Sequence, residues 1–336
     1  MTGVDLVDVH AHWLPASHFG LPPGSPFAPM QDRDGRLHLG DFPLSIATEA
    51  MSDVDAVYAD MDAQGIGVRA LSPPPFAFPT TSDARADEYI GSYNAELAGL
   101  VANSGGRLAG LGLVRLDDAD AATREMTRLA SEGVVSGVAI PPLVGSTSLD
   151  TGVLRDILRS AARLDLAVLV HPMQLPRPEW SSLYLANLIG NPVETATAVA
   201  GAVLGGVLDE LPSLRVCFVH GGGCAPALLG RWTHAWGARP DVHHTDTHPR
   251  DAFRQCWFDT VTHDVAALTL LREHASSDHV LCGTDYPFDM AESAPSAFLE
   301  SAGVDRRTLH DNGLAFLGGP RRGTEQSAAA SVAVSS

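Results

Sequence analysis

The chain has 336 residues, of which 45% are hydrophobic, and it carries a formal net charge of −18 at pH 7. This charge argues against nucleic acid or an anionic membrane surface as a partner, because both would repel it. The length suits one large core. All the basic residues are arginine, which excludes a Schiff-base lysine and a lysine-held cofactor.

The cysteines and the N-terminus bear on where the protein works. Four cysteines lie at positions 217, 224, 256 and 282, and no two of them form a Cys-x-x-Cys pair. This pattern suits reduced, buried thiols better than a disulfide framework. The first residues contain no segment of signal-peptide type, and the longest apolar stretch, 196–208, is too short to cross a bilayer. We therefore expect a cytoplasmic protein.

Segments typical of strands and helices alternate along the chain. Residues 4–9 form a short apolar run with β-branched residues, which indicates a strand buried on both sides. Residues 13–45 are rich in Pro and Gly, and we expect a long loop there. Further strands are predicted at 68–72, 108–114, 137–140, 167–170, 215–219, 255–261 and 280–283, and helices at 53–64, 87–102, 119–132, 151–164 and 192–210.

Eight strands that alternate with helices predict an α/β fold, a (β/α)8 TIM barrel. A doubly wound open sheet is the main alternative, but no Gly-rich dinucleotide fingerprint follows the first strand. We expect a single domain over residues 1–318, with 13–45 as a long insertion at the barrel mouth. The Ser/Ala/Gly/Arg-rich tail at 319–336 is expected to be disordered.

A histidine pair ends the first predicted strand. His10 and His12 are two residues apart, so in a strand they project to the same face. An isolated His-x-His is more often satisfied by hydrogen bonds than by a metal. However, later predicted strands end at His171, His220 and Asp285, and in a barrel the carboxyl ends of all strands meet at one mouth. This arrangement predicts a catalytic site for one divalent metal, without an organic cofactor.

The chain resembles metal-dependent members of the amidohydrolase superfamily, and most of all the family of aminocarboxymuconate-semialdehyde decarboxylase and its relatives. The resemblance spans most of residues 4–318. It is carried by VDVHAH (7–12), ADMDAQGIGVRALS (59–72), LVHP (169–172), IGNPVETATAV (189–199), VCFVHGGG (216–223), GRWTHAWGARPD (230–241), LCGTDYPF (281–288) and NGLAFLG (312–318). HxH and HGGG are weak motifs alone, whereas the ordered set is specific. It implies a TIM barrel of the metal-dependent hydrolase type.

The resemblance also implies roles for the residues at the predicted mouth. His10, His12, His171 and Asp285 would hold one divalent metal, zinc or alternatively manganese. His220 would be an acid/base that does not bind the metal, a role that suits imidazole because its ordinary pKa lies near neutral pH. Asp285 is the alternative proton donor to the substrate carbon, and the sequence leaves this choice open.

Substrate recognition departs from the family pattern. Arg231 matches an arginine that binds the substrate carboxylate on the neighbouring subunit, which implies a homodimer. A second family arginine has no counterpart in residues 42–47, and Met173 stands where an aromatic residue usually lies. Trp13 and Phe288 are predicted to stack on a planar substrate. We expect a small-molecule carboxylic acid with fewer carboxylates than the family's semialdehyde.

Three functions are compatible with these residues. The first is non-oxidative decarboxylation of an unsaturated or aromatic carboxylic acid, which is our prediction. The second is hydrolysis or deamination of a small cyclic or acyl substrate on the same scaffold. The third is a barrel without catalytic activity, and the intact predicted ligand set argues against it. The products separate the first two functions, since only a decarboxylase releases CO2.

Overall fold

Strands and helices alternate along the chain, as predicted. The structure, a computed structural model, describes residues 4–19, 21, 27, 30–39 and 42–319. Its strands are β1 (Leu6–His12), β2 (Met30–Arg33), β3 (Arg36–Leu39), β4 (Phe42–Ala47), β5 (Ile66–Ser72), β6 (Leu108–Gly112), β7 (Gly137–Ile140), β8 (Ala167–Val170), β9 (Val216–Phe218), β10 (Trp257–Asp259) and β11 (Val280–Leu281). Its α-helices are α1 (Thr48–Ser52), α2 (Val54–Gln64), α3 (Ala86–Ala102), α4 (Ala119–Glu132), α5 (Gly152–Arg163), α6 (Asn191–Leu204), α7 (Val207–Glu210), α8 (Ala225–Ala238), α9 (Pro249–Gln255), α10 (Val265–His274), α11 (Pro295–Ser301) and α12 (Arg306–Phe316).

Parallel pairing joins most of the strands into a barrel. Within the described residues, eight parallel strands are neighbours in the order β1, β5, β6, β7, β8, β9, β10 and β11. Hydrogen bonds close the ring, from the Val9 amide to the Cys282 carbonyl at 3.0 Å and from the His12 amide to the Tyr286 carbonyl at 2.7 Å. Because neighbours in space are neighbours in sequence and the two edges meet, the predicted (β/α)8 barrel is confirmed and the open sheet is excluded.

The barrel strands are short apolar runs because both of their faces are buried. Every residue of β7 and of β8 is buried. Outside the barrel, α5 places Leu154, Ile157, Leu158 and Ala161 on one buried face at helical spacing. No helix in the described ranges combines the length and the apolar character needed to cross a bilayer.

The insertion at 13–45 contains a small antiparallel sheet of β2, β3 and β4. The turn between β2 and β3 is Asp34-Gly35, with φ of 56° and 76°, the left-handed conformation that two-residue hairpins favour. The structure therefore differs from the predicted loop along these strands, because the Pro/Gly-rich composition obscured the Asp-Gly hairpin signal. Other parts of the insertion, and residues 320–336 of the predicted disordered tail, lie outside the described residues. The single domain over residues 1–318 stays a prediction.

The helix predicted at 192–210 is divided into α6 and α7. Gly206 has a φ of 68°, which a continuous helix does not allow. A Cβ on Gly205 would lie 2.5 Å from the Asp150 Cβ, so this break packs closely against the preceding helical unit. The division follows from close packing, which helical periodicity alone does not reveal.

A buried charged network fixes the strands that carry the mouth residues. Asp8 accepts hydrogen bonds from Arg69 Nε at 2.8 Å and from the Thr284 hydroxyl at 2.7 Å. Burial raises the pKa of Asp8, an effect that Arg69 partly offsets. Arg69 also lies 4.5 Å from the centre of the Tyr286 ring. These contacts hold β1, β5 and the segment after β11 together, and this segment leads into the mouth.

Candidate metal centre

The structure brings together five of the predicted site residues at one end of the barrel. His10 and His12 lie in the last three residues of β1, and His171 directly follows β8. His220 and Asp285 lie a few residues beyond β9 and β11. All five therefore sit at the carboxyl ends of parallel strands, where the functional groups of this architecture lie.

Asp285 lies at the centre of this cluster. Its Oδ1 is 3.2 Å from His10 Nε2, 3.0 Å from His12 Nε2 and 3.8 Å from His171 Nε2. Its Oδ2 is 3.4 Å from His220 Nε2. The ring centres of His10, His12 and His171 are 4.7 to 5.3 Å apart. One carboxylate and four imidazoles thus share a small volume.

Three of the rings are held in place through their other nitrogen. The Nδ1 atoms of His12 and His171 each donate to a backbone carbonyl, at 3.1 and 2.7 Å. His10 Nδ1 donates to Asp259 Oδ2 at 2.6 Å. These bonds keep the proton on Nδ1 and direct the Nε2 lone pair of each ring towards the centre, as in metal-binding histidines.

His220 lies on a turn with an unusual backbone conformation. Its φ is 55° and that of Asp285 is 64°, in the left-handed region that non-glycine residues adopt mainly at functional sites. Asp259 Oδ1 accepts a hydrogen bond from the Gly221 amide at 2.8 Å. A Cβ on Gly221 would lie 2.6 Å from the Thr262 Cγ2, so glycine is required there. Asp259 therefore supports both the His10 ring and the turn that presents His220.

The donors of this cluster fit a divalent metal. One donor atom from each of His10, His171, His220 and Asp285 lies within 4.8 Å of the others. His10 Nε2 and His171 Nε2 are buried, and neither has a hydrogen-bond partner within the described part of the chain, which costs free energy unless something binds them. Nitrogen and carboxylate donors are the ligands that zinc and similar ions prefer. The sequence-predicted ligand set contains His12 in place of His220, and both sets share the other three residues.

The electrostatics also favour a cation. Burial lowers the pKa of His171 to about 3. Burial likewise opposes protonation of His10, but Asp285 and Asp259 outweigh it and raise the pKa of His10 to about 10. Burial would raise the pKa of Asp285, yet the surrounding histidines hold it well below its usual range. The negative charge of these two carboxylates favours a positive charge in this cluster, and a divalent metal would supply it.

Asp259→Asn is expected to lower the metal affinity about 10- to 100-fold. Asp259 Oδ1 accepts from the amides of Gly221 and Val261, at 2.8 and 3.2 Å, so the oxygen of an asparagine must remain there. Its amide nitrogen would then face His10 Nδ1, donor against donor, and would move the His10 proton to Nε2. Competition with a chelator of known affinity measures the change.

Asp264→Asn is the matched control for this experiment. Asp264 Oδ1 accepts hydrogen bonds from the amides of Ala266 and Ala267 at the start of α10. Asparagine caps a helix in the same way and equally well. We expect it to bind metal like the wild type. An Asp259→Asn protein with the same metal affinity as this control would contradict the positioning role of Asp259.

Two adjoining cavities open beside the cluster. The first, of about 350 Å³, is lined by His220, Cys224, Leu188 and Thr262, among others, and we name it the histidine lobe. The second, of about 410 Å³, we name the aromatic lobe, and it is lined by residues that include Phe76, Met173, Tyr184 and Phe288. Four residues line both lobes, namely Asn187, Asn191, Asp285 and Met290. The lobes therefore meet at the carboxylate at the centre of the cluster.

Two of the four predicted substrate-binding residues line the aromatic lobe, and the other two lie elsewhere. Met173 and Phe288 line the aromatic lobe, and the Phe288 ring centre is 5.0 Å from that of His12. Trp13 is buried and its indole nitrogen donates to the Ser52 carbonyl at 3.0 Å, so it lines neither lobe. The structure therefore does not bring Trp13 to the lobe that Met173 and Phe288 line. Arg231 is exposed on α8 and also lines neither lobe of this chain.

Sequence reasoning missed Glu194. This carboxylate, on α6, is 4% exposed and accepts hydrogen bonds from the amides of Met173 at 2.8 Å and Leu175 at 2.6 Å. Burial raises the pKa of Glu194. It holds the segment after β8 against α6, and so positions Met173 in the aromatic lobe. Glu194 lies within the motif IGNPVETATAV (189–199), and the sequence distinguishes it only as an acidic residue in the first turn of an otherwise apolar helix.

Comparison with known proteins places this geometry in context. The sequence pattern of the family described as Amidohydrolase matches residues 7–318. The 2-amino-3-carboxymuconate-6-semialdehyde decarboxylase of Dictyostelium discoideum is 30% identical over 275 residues, which cover 79% of this chain and 77% of that protein. The gamma-resorcylate decarboxylase of Rhodococcus jostii is 29% identical over 233 residues, which cover 64% of this chain and 70% of that protein.

The fold has close counterparts among solved structures. IDCase from Metarhizium anisopliae, solved in its apo form, superimposes with a TM-score of 0.83 over 94% of this chain and 97% of that one. The two sequences are 22% identical. At that identity the likeness establishes the barrel architecture alone.

Proposed function

Because the chain belongs to the amidohydrolase superfamily, and to its branch related to aminocarboxymuconate-semialdehyde decarboxylase, we propose that it is a metal-dependent, non-oxidative decarboxylase. Its substrate in this proposal is an unsaturated or aromatic carboxylic acid. One observation carries the proposal: the Nε2 atoms of three imidazoles converge on Asp285 at the edge of an apolar cavity, with His220 on the other side of the carboxylate. Decarboxylation requires stabilised negative charge and a nearby proton donor, and this arrangement supports both.

We assign His10, His12, His171 and Asp285 as the residues that would hold the metal, zinc or alternatively manganese. The hydrogen bonds at Nδ1 support this choice over a set that includes His220. The three assigned histidines each donate from Nδ1, as metal-binding histidines do, whereas His220 Nδ1 is buried without a partner. His220 is therefore left free to exchange a proton.

In the proposed reaction, some residues of the chain would hold the metal and others would deliver the proton. When bound, the metal would supply positive charge that stabilises the charge developing as CO2 leaves. The bond between the carboxylate and the substrate carbon breaks, and its electron pair stays on that carbon. A proton from His220 Nε2, or from Asp285, goes to the same carbon, and water reprotonates the donor. No oxidant or organic cofactor is consumed.

The aromatic lobe is the proposed place for the planar part of the substrate. Met173 and Phe288 would contact one of its faces, since aromatic and thioether groups pack well on flat apolar surfaces. Arg231, exposed on α8, remains a proposed carboxylate ligand for the active site of a neighbouring subunit. The homodimer and the cytoplasmic location likewise stay predictions.

Removal of the metal is expected to abolish activity and leave the fold intact. The purified protein is incubated with a panel of aromatic and muconate-type acids while released CO2 is recorded. It is then treated with a chelator and assayed again by activity and circular dichroism. Zinc or manganese should restore turnover, whereas calcium, which prefers an all-oxygen site, should not. Full turnover in protein that retains no metal would contradict the proposal.

The same panel of acids also distinguishes the decarboxylase from the alternative function, a hydrolase or deaminase. A hydrolase or deaminase would release ammonia or a second acid with incorporation of water, and it would release no CO2. If the metal-loaded protein gives these products, the proposed function changes from decarboxylase to hydrolase.

A further inference from the structure

The residue that the function leaves unexplained is Asn191, where the two lobes meet. It is the first residue of α6 and is 6% exposed. Its neighbours along the shared lining are Asn187, Asp285 and Met290. Asn191 therefore lies beside any ligand that fills the junction of the two lobes near Asp285.

The Asn191 carboxamide is incompletely satisfied in the protein. Its Oδ1 is buried and has no hydrogen-bond partner among the residues that the structure describes. A buried acceptor left in this state costs free energy, so such groups in native proteins usually have a purpose or a partner that binds later. Thr195, one turn further along α6, also has a buried Oγ1 without a partner, but it lines neither lobe. Asn191 thus combines an unsatisfied, buried acceptor with a side chain that lines both lobes.

The charges around the cavity narrow what this acceptor can bind. Among the described residues that line the two lobes there is no arginine, and the chain has no lysine. Asp285 and Asp289 line the aromatic lobe, so a second carboxylate on the ligand would meet negative charge. An uncharged donor group, a hydroxyl or an amine, suits a carboxamide oxygen in these surroundings.

We propose that Asn191 is a specificity-determining residue, whose Oδ1 accepts a hydrogen bond from a hydroxyl or amino group of the substrate. The inference rests on the proposed decarboxylase and adds a requirement to it. The substrate carries, besides the carboxylate that it loses, a hydrogen-bond donor that reaches the junction of the lobes. A site built to bind such a donor discriminates strongly against the analogue that lacks it.

The test compares paired compounds in three metal-loaded proteins: wild type, Asn191→Leu and Thr195→Val. Each pair consists of a hydroxybenzoate and its methyl ether, or of an aminobenzoate and its N,N-dimethyl derivative. The pairs cover the ortho, meta and para positions of the hydroxyl or amino group. The ratio of kcat/KM within a pair is the preference for the donor. We expect about a 10- to 100-fold preference in wild type for at least one pair, lost in Asn191→Leu and kept in Thr195→Val.

A binding measurement makes the inference independent of turnover. The Kd values of the corresponding phenols, anisoles, anilines and N,N-dimethylanilines are measured by calorimetry in the same proteins. The preference for the donor should again disappear only in Asn191→Leu. Asn191→Asp, which keeps an acceptor oxygen of the same size, should retain the preference even where the added charge weakens overall binding.

The outcomes separate the two proposals. If wild type releases no CO2 from any acid but its binding preference depends on Asn191, the decarboxylase proposal fails and the role of Asn191 stands. If wild type is active and Asn191→Leu, folded by circular dichroism, keeps the wild-type preference, the role of Asn191 is overturned. A preference lost equally in Thr195→Val, or wild-type protein without any preference, would also overturn it.

Discussion

His220→Asn is expected to lower kcat by roughly 10²- to 10⁴-fold, the contribution of a positioned acid/base, and to leave the metal content of the protein unchanged. Asparagine is the suitable replacement because it tolerates the left-handed backbone that His220 adopts, with φ of 55°. The variant removes the imidazole that lies 3.4 Å from Asp285 Oδ2 and keeps the turn. Steady-state release of CO2 and elemental analysis of the same sample measure both quantities.

His263→Asn is the matched control for this variant. His263 also follows a barrel strand and has a φ of 58°. It lines the histidine lobe, but its side chain is exposed and it does not belong to the cluster of His10, His171, His220 and Asp285. We expect this variant to keep most of its activity. Loss of metal from His220→Asn would show that His220 is a ligand, as the compact group of His10, His171, His220 and Asp285 would require. Wild-type turnover in His220→Asn would remove it from the mechanism.

The sequence was most informative where buried strands and helices have clear periods. The predicted bounds of β7, β8 and α4 coincide with the observed ones, because short apolar runs and an amphipathic segment define them. The rule that functional groups gather at the carboxyl ends of barrel strands then brought His171 and Asp285, 114 residues apart, into one predicted site. The distance of 3.8 Å between His171 Nε2 and Asp285 Oδ1 supports this prediction.

The alternation of side chains along a strand accounts for the buried position of Trp13. Trp13 follows His12 at the end of β1, and successive residues of a strand point to opposite faces. A side chain next to a histidine that faces the centre should therefore point away from it. Trp13 does so, and its ring centre lies 6.0 Å from that of Tyr93 in the core.

Asn191 shows the opposite case: it lies within the motif IGNPVETATAV (189–199), but neither this motif nor local periodicity gives it a role. Its proposed role depends on a cavity that combines residues of β4 with residues that follow β5, β8, β9, β10 and β11, which are far apart in sequence. Periodicity describes how one element is buried and does not describe which side chains from distant loops share a cavity. A lone Asn at the start of a helix is usually a capping residue, so its sequence context favoured an ordinary role.

Asp285→Asn is expected to have the largest effect on activity, a loss of kcat of roughly 10⁴-fold or more. The substitution removes the carboxylate that the four histidines of the cluster surround. The replacement preserves shape and tolerates the φ of 64°. It removes the negative charge near His10, His12 and His171, so metal affinity should fall as well. Asp289→Asn, a neutralised carboxylate in the same lobe, should retain the wild-type metal content.

Assays of Asp285→Asn at stoichiometric and at excess metal distinguish the two roles of this carboxylate. If excess metal restores turnover, Asp285 acts as a ligand alone and His220 delivers the proton to carbon. If the metal binds and the protein stays inactive, the proton path includes Asp285, whose Oδ2 lies 3.4 Å from His220 Nε2. Wild-type activity at stoichiometric metal would contradict both roles, because the remaining histidines would then be sufficient to hold the ion and complete the reaction.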